Sequence, residues 1–516
     1  MILNEELINR VKQELLNNQA VFITGSAGTG KSTLISDMKQ DAFFSEAKYL
    51  GSTGISAYNI EGTTLHSLFK INPYAEDLSS QIFSSLGRLK KYASIFNDNT
   101  ILIIDEISMV SNLLLETVSY ILQRLKRNEK PFGGLRVVFV GDFLQLPPVF
   151  KAGECFPSSI KEYINLKNSL KAAKTALEKI ENASEDDINI GTDDTDDPLN
   201  IKSNSKGLSK EELNSIISAA NDKLSSMEKI SVDSCYNCPV WKQLQPKIIY
   251  LTKLYRFEDS NEDQKNFINH LLQLRKGDYN INYWAIFHNN IISKKDSNIV
   301  LTSLRKEAES INSDRLKRLS GKTCFINYHI KSNSTQEDIK LLDDYKRLEL
   351  KKGAKVLLTK NIDVSEGLVN GSRGTLIDVY YKKSSEDKDI SYFNEKESKK
   401  EVLDVLTDSV SLLIDFEGYG QKRIDAQLFV IKKYNEKEEK KNTTVYYLPI
   451  MLAWAITIHK SQGLSLDHVT LTGANIFAPH QLYVALSRVR KAENLYIESL
   501  PLKIPTVEKQ LLDLYS

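Results

Sequence analysis

The sequence predicts an α/β protein built on doubly wound parallel sheets, and three observations carry that expectation. Short apolar strands alternate with helical patterns, each of the first strands ends in a glycine or a carboxylate, and a glycine-rich turn joins the first strand to its helix. Val21-Phe-Ile-Thr24 runs into the turn Gly25–Ser32 and then into the helical Thr33–Lys39. Thr100–Ile104 ends at Asp105-Glu106 ahead of a helix over Asn112–Arg127, and Arg136–Val140 ends at Gly141-Asp142. In an open parallel sheet the polar groups at the carboxyl ends of the strands line one crevice, where ligands bind.

Ahead of the first strand, residues 1–19 mix Glu5, Glu6 and Glu14 with apolar positions at helical spacing. They read as an amphipathic helix and not as a signal or transit peptide. After the third strand the composition shifts. Residues 158–233 are rich in Lys, Asn and Ser, with helical stretches around the acidic run 184–198, and read as a solvated or disordered insertion that offers a candidate place for a protein partner. Apolar strands resume at Lys247–Leu251, Ser297–Leu301 and Ala354–Leu358. Short β-type runs, Val410–Asp415 and Ala426–Ile431 among them, mark a β-rich insert over about 379–447, expected as a small barrel. Val469–Thr472 and Leu495–Ile497 return to the parallel pattern, so the chain divides into a first domain over 1–245 and a second over 246–516.

The 516 residues are enough to bury several cores, and 41% hydrophobic with 26% charged residues is the balance of a soluble globular protein. Four cysteines exclude a disulfide scaffold and fit a reducing compartment. The absence of a run of about eighteen apolar residues excludes a spanning helix. An intracellular, soluble chain of cytoplasm or nucleus, without membrane partners, is expected. Lys+Arg at 68 against Asp+Glu at 67 gives +1, which excludes a tail-dominated basic protein. That total is a cancellation: residues 181–198 carry eight acids and no base, leaving +9 on the rest of the chain. Such a surplus suits a chain that tracks a phosphate backbone.

Gly25-Ser26-Ala27-Gly28-Thr29-Gly30-Lys31-Ser32 matches G-x-x-x-x-G-K-[ST], and it sits between strand and helix, the context that separates a phosphate loop from a chance glycine turn. Its backbone N–H groups would close around phosphates, Lys31 would reach the β- and γ-phosphates, and the Ser32 hydroxyl would ligate Mg²⁺. Asp105 and Glu106 stand where a buried strand meets solvent, which suits one Mg²⁺ partner and one base that orients the attacking water. Alone they would be ordinary turn carboxylates. Gln145, in Gly141-Asp-Phe-Leu-Gln145-Leu-Pro-Pro-Val149, is placed to touch the γ-phosphate or the water. The three segments together predict hydrolysis of a nucleoside triphosphate with Mg²⁺ as the metal cofactor.

These segments resemble successive motifs of the Pif- and RecD-like 5′-to-3′ DNA helicases of superfamily 1B, and the later ones follow in the family's order. Ser52-Thr53-Gly-Ile-Ser-Ala57 and Thr63-Thr-Leu-His66-Ser67 are similar to its first DNA-contact segments, and Leu251-Thr-Lys-Leu-Tyr-Arg256 to its fourth motif. Asn361 with Gly367-Leu-Val-Asn-Gly371 resembles a second-domain stretch. Trp454-Ala-Ile-Thr-Ile-His459-Lys460-Ser-Gln-Gly463 and Gln481-Leu-Tyr-Val-Ala-Leu-Ser487-Arg488 resemble the fifth and sixth motifs. Ser-Thr-Gly and Gly-Leu-Val-Asn-Gly favour the Pif branch.

The resemblance implies two RecA-like P-loop motor domains, a small wedge insert over 70–99 and the barrel-like insert. It implies a monomer that uses ATP to move 5′ to 3′ on single-stranded DNA and opens tailed or forked duplex in repair, recombination or replication. Thr33 and Gly463 join the nucleotide contacts, and Thr53, His66, Asn361, His459 and Lys460 the DNA contacts. Arg256 and Arg488 are expected to be carried to the γ-phosphate by the second domain, where arginine stabilises transition-state charge. Phe69 and Trp454 are either stacking platforms for bases or core residues. A binding ATPase that clamps nucleic acid without separating strands is the alternative.

The chain departs from the family at two positions: Leu7 stands where relatives carry an adenine-reading glutamine, and Phe257 where they often carry glutamine. Cys235-Tyr-Asn-Cys238 with Cys155 gives three thiols at the two ends of one insertion, one short of a structural zinc site.

Overall fold

The computed structural model describes residues 5–71, 78–148, 153–182, 208–257, 262–278, 299–327, 329–331, 347–359, 362–363, 366, 368, 371–382, 389–393, 402–431, 443–478, 480–501 and 506–515. The acidic run and Asn361 lie outside them. Among the described residues no helix is long and apolar enough to cross a membrane.

The first sheet is six-stranded and wholly parallel. In chain order its strands are β1 (Ala20–Gly25), β2 (Lys48–Gly51), β3 (Thr63–Thr64), β4 (Ile101–Asp105) and β5 (Arg136–Gly141). After the short antiparallel pair β6 (Cys155–Pro157) and β7 (Lys229–Ser231), β8 (Lys247–Leu251) completes it, in the spatial order β3-β2-β4-β5-β1-β8. β1, β4 and β5 read as continuous apolar runs because both faces are covered, as parallel strands require. The helix Glu5–Asn17 lays Ile8, Val11 and Leu15, spaced three and four apart, into the layer on one face. The helix Asn112–Lys126 covers the other, capped by Ser111 at its start and closed by Arg127 in the left-handed region.

Register decides what meets at the top of this sheet. Thr24 lies beside Gly141 on one side and Tyr250 on the other, and Gly51 lies beside Asp105. The carboxyl ends that carry the sequence motifs are therefore level with one another.

Because β8 pairs with β1, the first domain runs past the expected division after residue 245. An apolar strand announces burial but not its partner. The C-terminal segment also returns to this domain: Leu511 enters its core, and Tyr236 and Asn237 hydrogen-bond Glu508 and Gln510.

The insertion is structured at both flanks, where a solvated segment was expected. Ile160–Asn182 and Lys210–Ser226 pack as a helical hairpin, with Ile160, Ile164, Leu213 and Ala220 buried and Lys210–Glu181 and Lys223–Glu162 paired along it. Within the wedge region, the helix Leu78–Leu89 buries Ile82, Leu86 and Leu89 and leaves Arg88 and Lys90 exposed.

Phe69 belongs to the first core: it is fully buried and stacks on Phe96 with 5.6 Å between ring centroids. Phe69→Ala is expected to cost about 3–5 kcal/mol of stability. Denaturant titration checks this, and an unchanged midpoint with weakened DNA binding would return the ring to a stacking role.

The second parallel sheet runs Ala455–Thr457, Ile299–Thr302, Val469–Thr472 and Leu495–Ser499 in spatial order. A β-rich region interrupts it, and this region begins earlier than expected. Its largest sheet joins Gly420–Asp425, Val410–Phe416, Arg373–Tyr381, Lys355–Leu358 and Ile450–Leu452, all antiparallel. Lys355–Leu358 is thus part of this insert and not of the parallel core, and Trp454 is buried in the insert's core. Two three-stranded sheets flank it, and the pairings among the described residues do not close a barrel.

Candidate nucleotide site and interdomain cleft

The glycine-rich turn leaves β1 and ends at Gly30, whose left-handed φ of 84° starts the helix Lys31–Met38. Gly28, at φ 82°, is fixed by crowding as well as conformation: a Cβ there would lie 2.5 Å from the Cβ of Arg256. Lys31 Nζ reaches back along the loop and donates to the carbonyls of Gly25 at 2.7 Å and Ser26 at 3.0 Å. Burial pulls its ammonium below the ordinary lysine value, while Asp142, Glu106 and Asp105 support the charge. Ser32 and Thr33 are exposed on the first helical turn.

Asp105 ends β4 and is buried, and burial together with the charge of Glu106 pushes its carboxyl up to about 8. Glu106 takes φ 52° and ψ 48°, a left-handed backbone that costs a non-glycine residue about 1–2 kcal/mol. Strain of this kind persists where the surroundings over-determine it, and Gln462 of the second domain supplies one such constraint by donating Nε2–H to Glu106 Oε2 at 2.9 Å. A dication suits the set: the exposed Ser32 offers a hydroxyl at the loop's mouth, and the crowded Asp105–Glu106 pair is the kind of negative charge that a cation relieves.

Four contacts join the second domain to the loop and the strand ends beside it. Ala27 N–H donates to the Tyr483 hydroxyl at 2.9 Å, and Arg256 Nη1 donates to the Ser487 carbonyl at 3.0 Å. Gln462 holds Glu106, and Arg275 makes a two-pronged ion pair with Asp142. Arg256 departs from expectation in one respect. It follows β8 and lies over the phosphate loop, so it belongs to the first domain and reaches towards the second. Tyr255 N–H donates to the Gly28 carbonyl at 2.8 Å, which seats the segment after β8 directly on the turn. Burial lowers the Arg256 guanidinium to about 10.

Arg488 does come from the second domain, but it is buried and largely committed there. It donates to the carbonyls of Val484, Ser461 and Leu464 and to the Ser487 hydroxyl, using four of its five N–H groups. Burial, and next the charge of Arg256, lower it to about 9. Gln145 is buried at the third motif, where its Nε2 donates to Asp142 Oδ2 at 3.3 Å. Gly463 has φ 80° in the turn that also presents His459, Lys460 and Gln462.

The DNA-contact candidates lie on three separate turns. Thr53 shares hydrogen bonds with Ser56 ahead of the helix Gly54–Asn59, and His66 is half-buried on the short helix Leu65–Leu68. His459 stacks on Phe477, an exposed ring with its centroid 6.2 Å away. Burial lowers both histidines below the ordinary value. Of the cysteines at the ends of the insertion, Cys155 is exposed on β6, Cys235 is buried with Sγ towards the Ile107 carbonyl, and Cys238 is buried beside Glu116. Sequence reasoning gives no role to Asp142, Arg275, Gln462, Tyr483 or Tyr515. Asp142, Gln462 and Tyr483 stand inside motifs and were open to notice there, whereas Arg275 and Tyr515 carry no such signal.

A phosphate loop set between two parallel α/β domains of RecA-like architecture defines a two-domain P-loop protein. Comparison with known proteins narrows the class. The model of the PIF1-like helicase family matches residues 2–190, that of the 2B domain of DNA helicase Pif1 matches 344–379, and a further helicase model matches 431–514. The chain's similarity to PIF1-like helicases thus extends through both domains. It is 27% identical to the ATP-dependent DNA helicase PIF1 of Xenopus laevis over 98% of this chain and 63% of that protein. It is 28% identical to the ATP-dependent DNA helicase Pif1 of a Psychrobacter species over 93% of this chain and 66% of that one. The chain therefore spans just under two thirds of the length of these relatives. Its fold matches the crystal structure of Pif1 helicase from Candida albicans at a TM-score of 0.63, with 24% identity, 100% of this chain and 99% of that chain covered. It matches Bacteroides Pif1 in complex with ADP-AlF4 at 0.64, with 24% identity and 100% and 96% covered.

Proposed function

We propose that the chain is an ATP-dependent DNA helicase that moves 5′ to 3′ along single-stranded DNA and opens tailed or forked duplex. The observation that carries this reading is the sharing of one nucleotide loop by two RecA-like domains: Tyr483 on Ala27, Gln462 on Glu106, and Arg256 on the Ser487 carbonyl. A site assembled from two bodies makes hydrolysis depend on their closure, which is the requirement of a motor. The relatives named above as ATP-dependent DNA helicases, and a Bacteroides Pif1 solved bound to ssDNA, support DNA as the track.

Gly25–Thr33 cradle the phosphates of ATP, and Lys31 exchanges its two loop carbonyls for phosphate oxygens. Ser32 and Asp105 would hold Mg²⁺, which would supply charge that neutralises the phosphates. Glu106 takes the proton of the attacking water, and Gln145 contacts water or γ-phosphate. Arg256 lies nearest the loop, and Arg488 turns its remaining N–H towards the site on closure. Thr53, His66, Asn361, His459 and Lys460 grip the strand, with Lys460 as the charged partner of a phosphate. The chain acts as a monomer in DNA repair, recombination or replication.

Hydrolysis of ATP by the full chain is expected to rise at least tenfold on adding single-stranded DNA, because the strand lies across both domains and favours closure. A rate indifferent to DNA would contradict the reading. A clamp would share this stimulation but would separate no strands.

A further inference from the structure

Asp142 leaves the end of β5 fully buried, and five donors converge on its carboxylate. Arg275 gives Nε–H to Oδ2 at 2.9 Å and Nη2–H to Oδ1 at 2.7 Å. The Tyr515 hydroxyl reaches Oδ1 at 3.1 Å, Leu144 N–H reaches it at 3.2 Å, and the Gln145 side-chain amide reaches Oδ2 at 3.3 Å. Burial alone would raise this carboxyl, but the Arg275 guanidinium outweighs it and holds the group below the ordinary range.

The donors come from different bodies. Arg275 ends the helix Glu262–Arg275, whose Phe267, Leu271 and Leu274 lie in the second domain's core, and whose Gln264 bonds the backbone of Arg490 and Ala492. Tyr515 follows a segment packed into the first domain's core through Leu511. Its hydroxyl accepts from Phe143 N–H at 2.7 Å and lies 3.3 Å from the Thr24 hydroxyl, at the foot of the phosphate loop. Arg275 also lies over the Tyr515 ring, with its guanidinium carbon 4.9 Å from the centroid.

We infer that Arg275 and Tyr515 are positioning residues for Gln145, with Asp142–Arg275 as the link between the third motif and the second domain. The inference rests on the nucleotide-site reading proposed above. Gln145 hangs on the same oxygen that Arg275 Nε–H holds, so a movement of Gln145 at the nucleotide is felt by the Glu262–Arg275 helix, and the reverse. Tyr515 keeps Asp142 and the Phe143 backbone in register with β1 while Arg275 moves.

The test uses the full chain carrying Tyr515→Phe or Arg275→Lys. Tyr515→Phe keeps the ring under Arg275 and removes only the hydroxyl. With saturating single-stranded DNA, its kcat for ATP is expected to fall roughly tenfold, with KM within about twofold and a melting temperature within about 3 °C of wild type. Arg275→Lys replaces a two-pronged contact by a point charge and is expected to lower the base pairs separated per ATP consumed by roughly fivefold or more. A merely structural role would lower the melting temperature and leave kcat and strand separation per folded molecule unchanged, which would overturn the inference. A wild-type chain without DNA-stimulated hydrolysis overturns the functional reading and this inference with it. A stimulated wild type with two indifferent variants overturns the inference alone.

Discussion

Lys31→Ala is expected to reduce DNA-stimulated ATP hydrolysis by on the order of a thousandfold, and to weaken nucleotide binding. The Lys31 ammonium is the cation held at the loop itself, bonded to the Gly25 and Ser26 carbonyls and supported by the charges of Asp142, Glu106 and Asp105. Its loss removes the ammonium that the loop holds against the charges of Asp142, Glu106 and Asp105. Lys31→Arg is not expected to rescue the rate, because a planar fork does not occupy the place of a compact ammonium in a tight turn. Affinity for single-stranded DNA should stay within about threefold, since the residues proposed to hold the strand lie on other turns. Steady-state ATPase and nucleotide titration check both halves, and a wild-type rate in Lys31→Ala would remove the nucleotide site from this loop.

Glu106→Gln should separate binding from chemistry. The replacement has the same shape, and its amide oxygen can still accept the 2.9 Å bond from Gln462. The carboxylate proposed to accept a proton from water is gone. A fall of roughly 10²–10⁴ in kcat is expected, the usual worth of a general base, with the affinity for ATP retained. Single-turnover hydrolysis beside equilibrium nucleotide binding distinguishes the two quantities. A variant that hydrolyses normally would assign the base elsewhere.

The parts of the site that were legible in the sequence are those made by one stretch of chain. Gly25–Ser32 carries its own strand, turn and helix, and Asp105 and Glu106 follow a strand that is apolar throughout. Tertiary pairing was not legible. Lys247–Leu251 announced a strand but not that β1 is its neighbour, and the misplaced division assigned Arg256 to the wrong domain. Arg275 meets Asp142 across 133 positions, and Tyr515 meets it across 373. Each looks like an ordinary side chain in its own segment. The insertion is obscured for a related reason: its Lys-, Asn- and Ser-rich surface hides the few buried apolar positions, Ile160 and Ile164 packed into the first core and Leu213 and Ala220 along the second helix. The β-rich insert was drawn too narrowly because Lys355–Leu358 is as apolar as a parallel-core strand, and only its antiparallel partners show where it belongs.

The central claim is that closure of two RecA-like domains on one nucleotide loop drives strand separation. The most direct measurement is ATP-dependent unwinding of partial duplexes that differ only in the polarity of their single-stranded tail. Unwinding is expected from a 5′ tail, none from a 3′ tail, and none from either with Lys31→Ala. Unwinding from the 3′ tail alone would contradict the direction of travel, and DNA-stimulated hydrolysis with no unwinding from either tail would contradict the helicase itself.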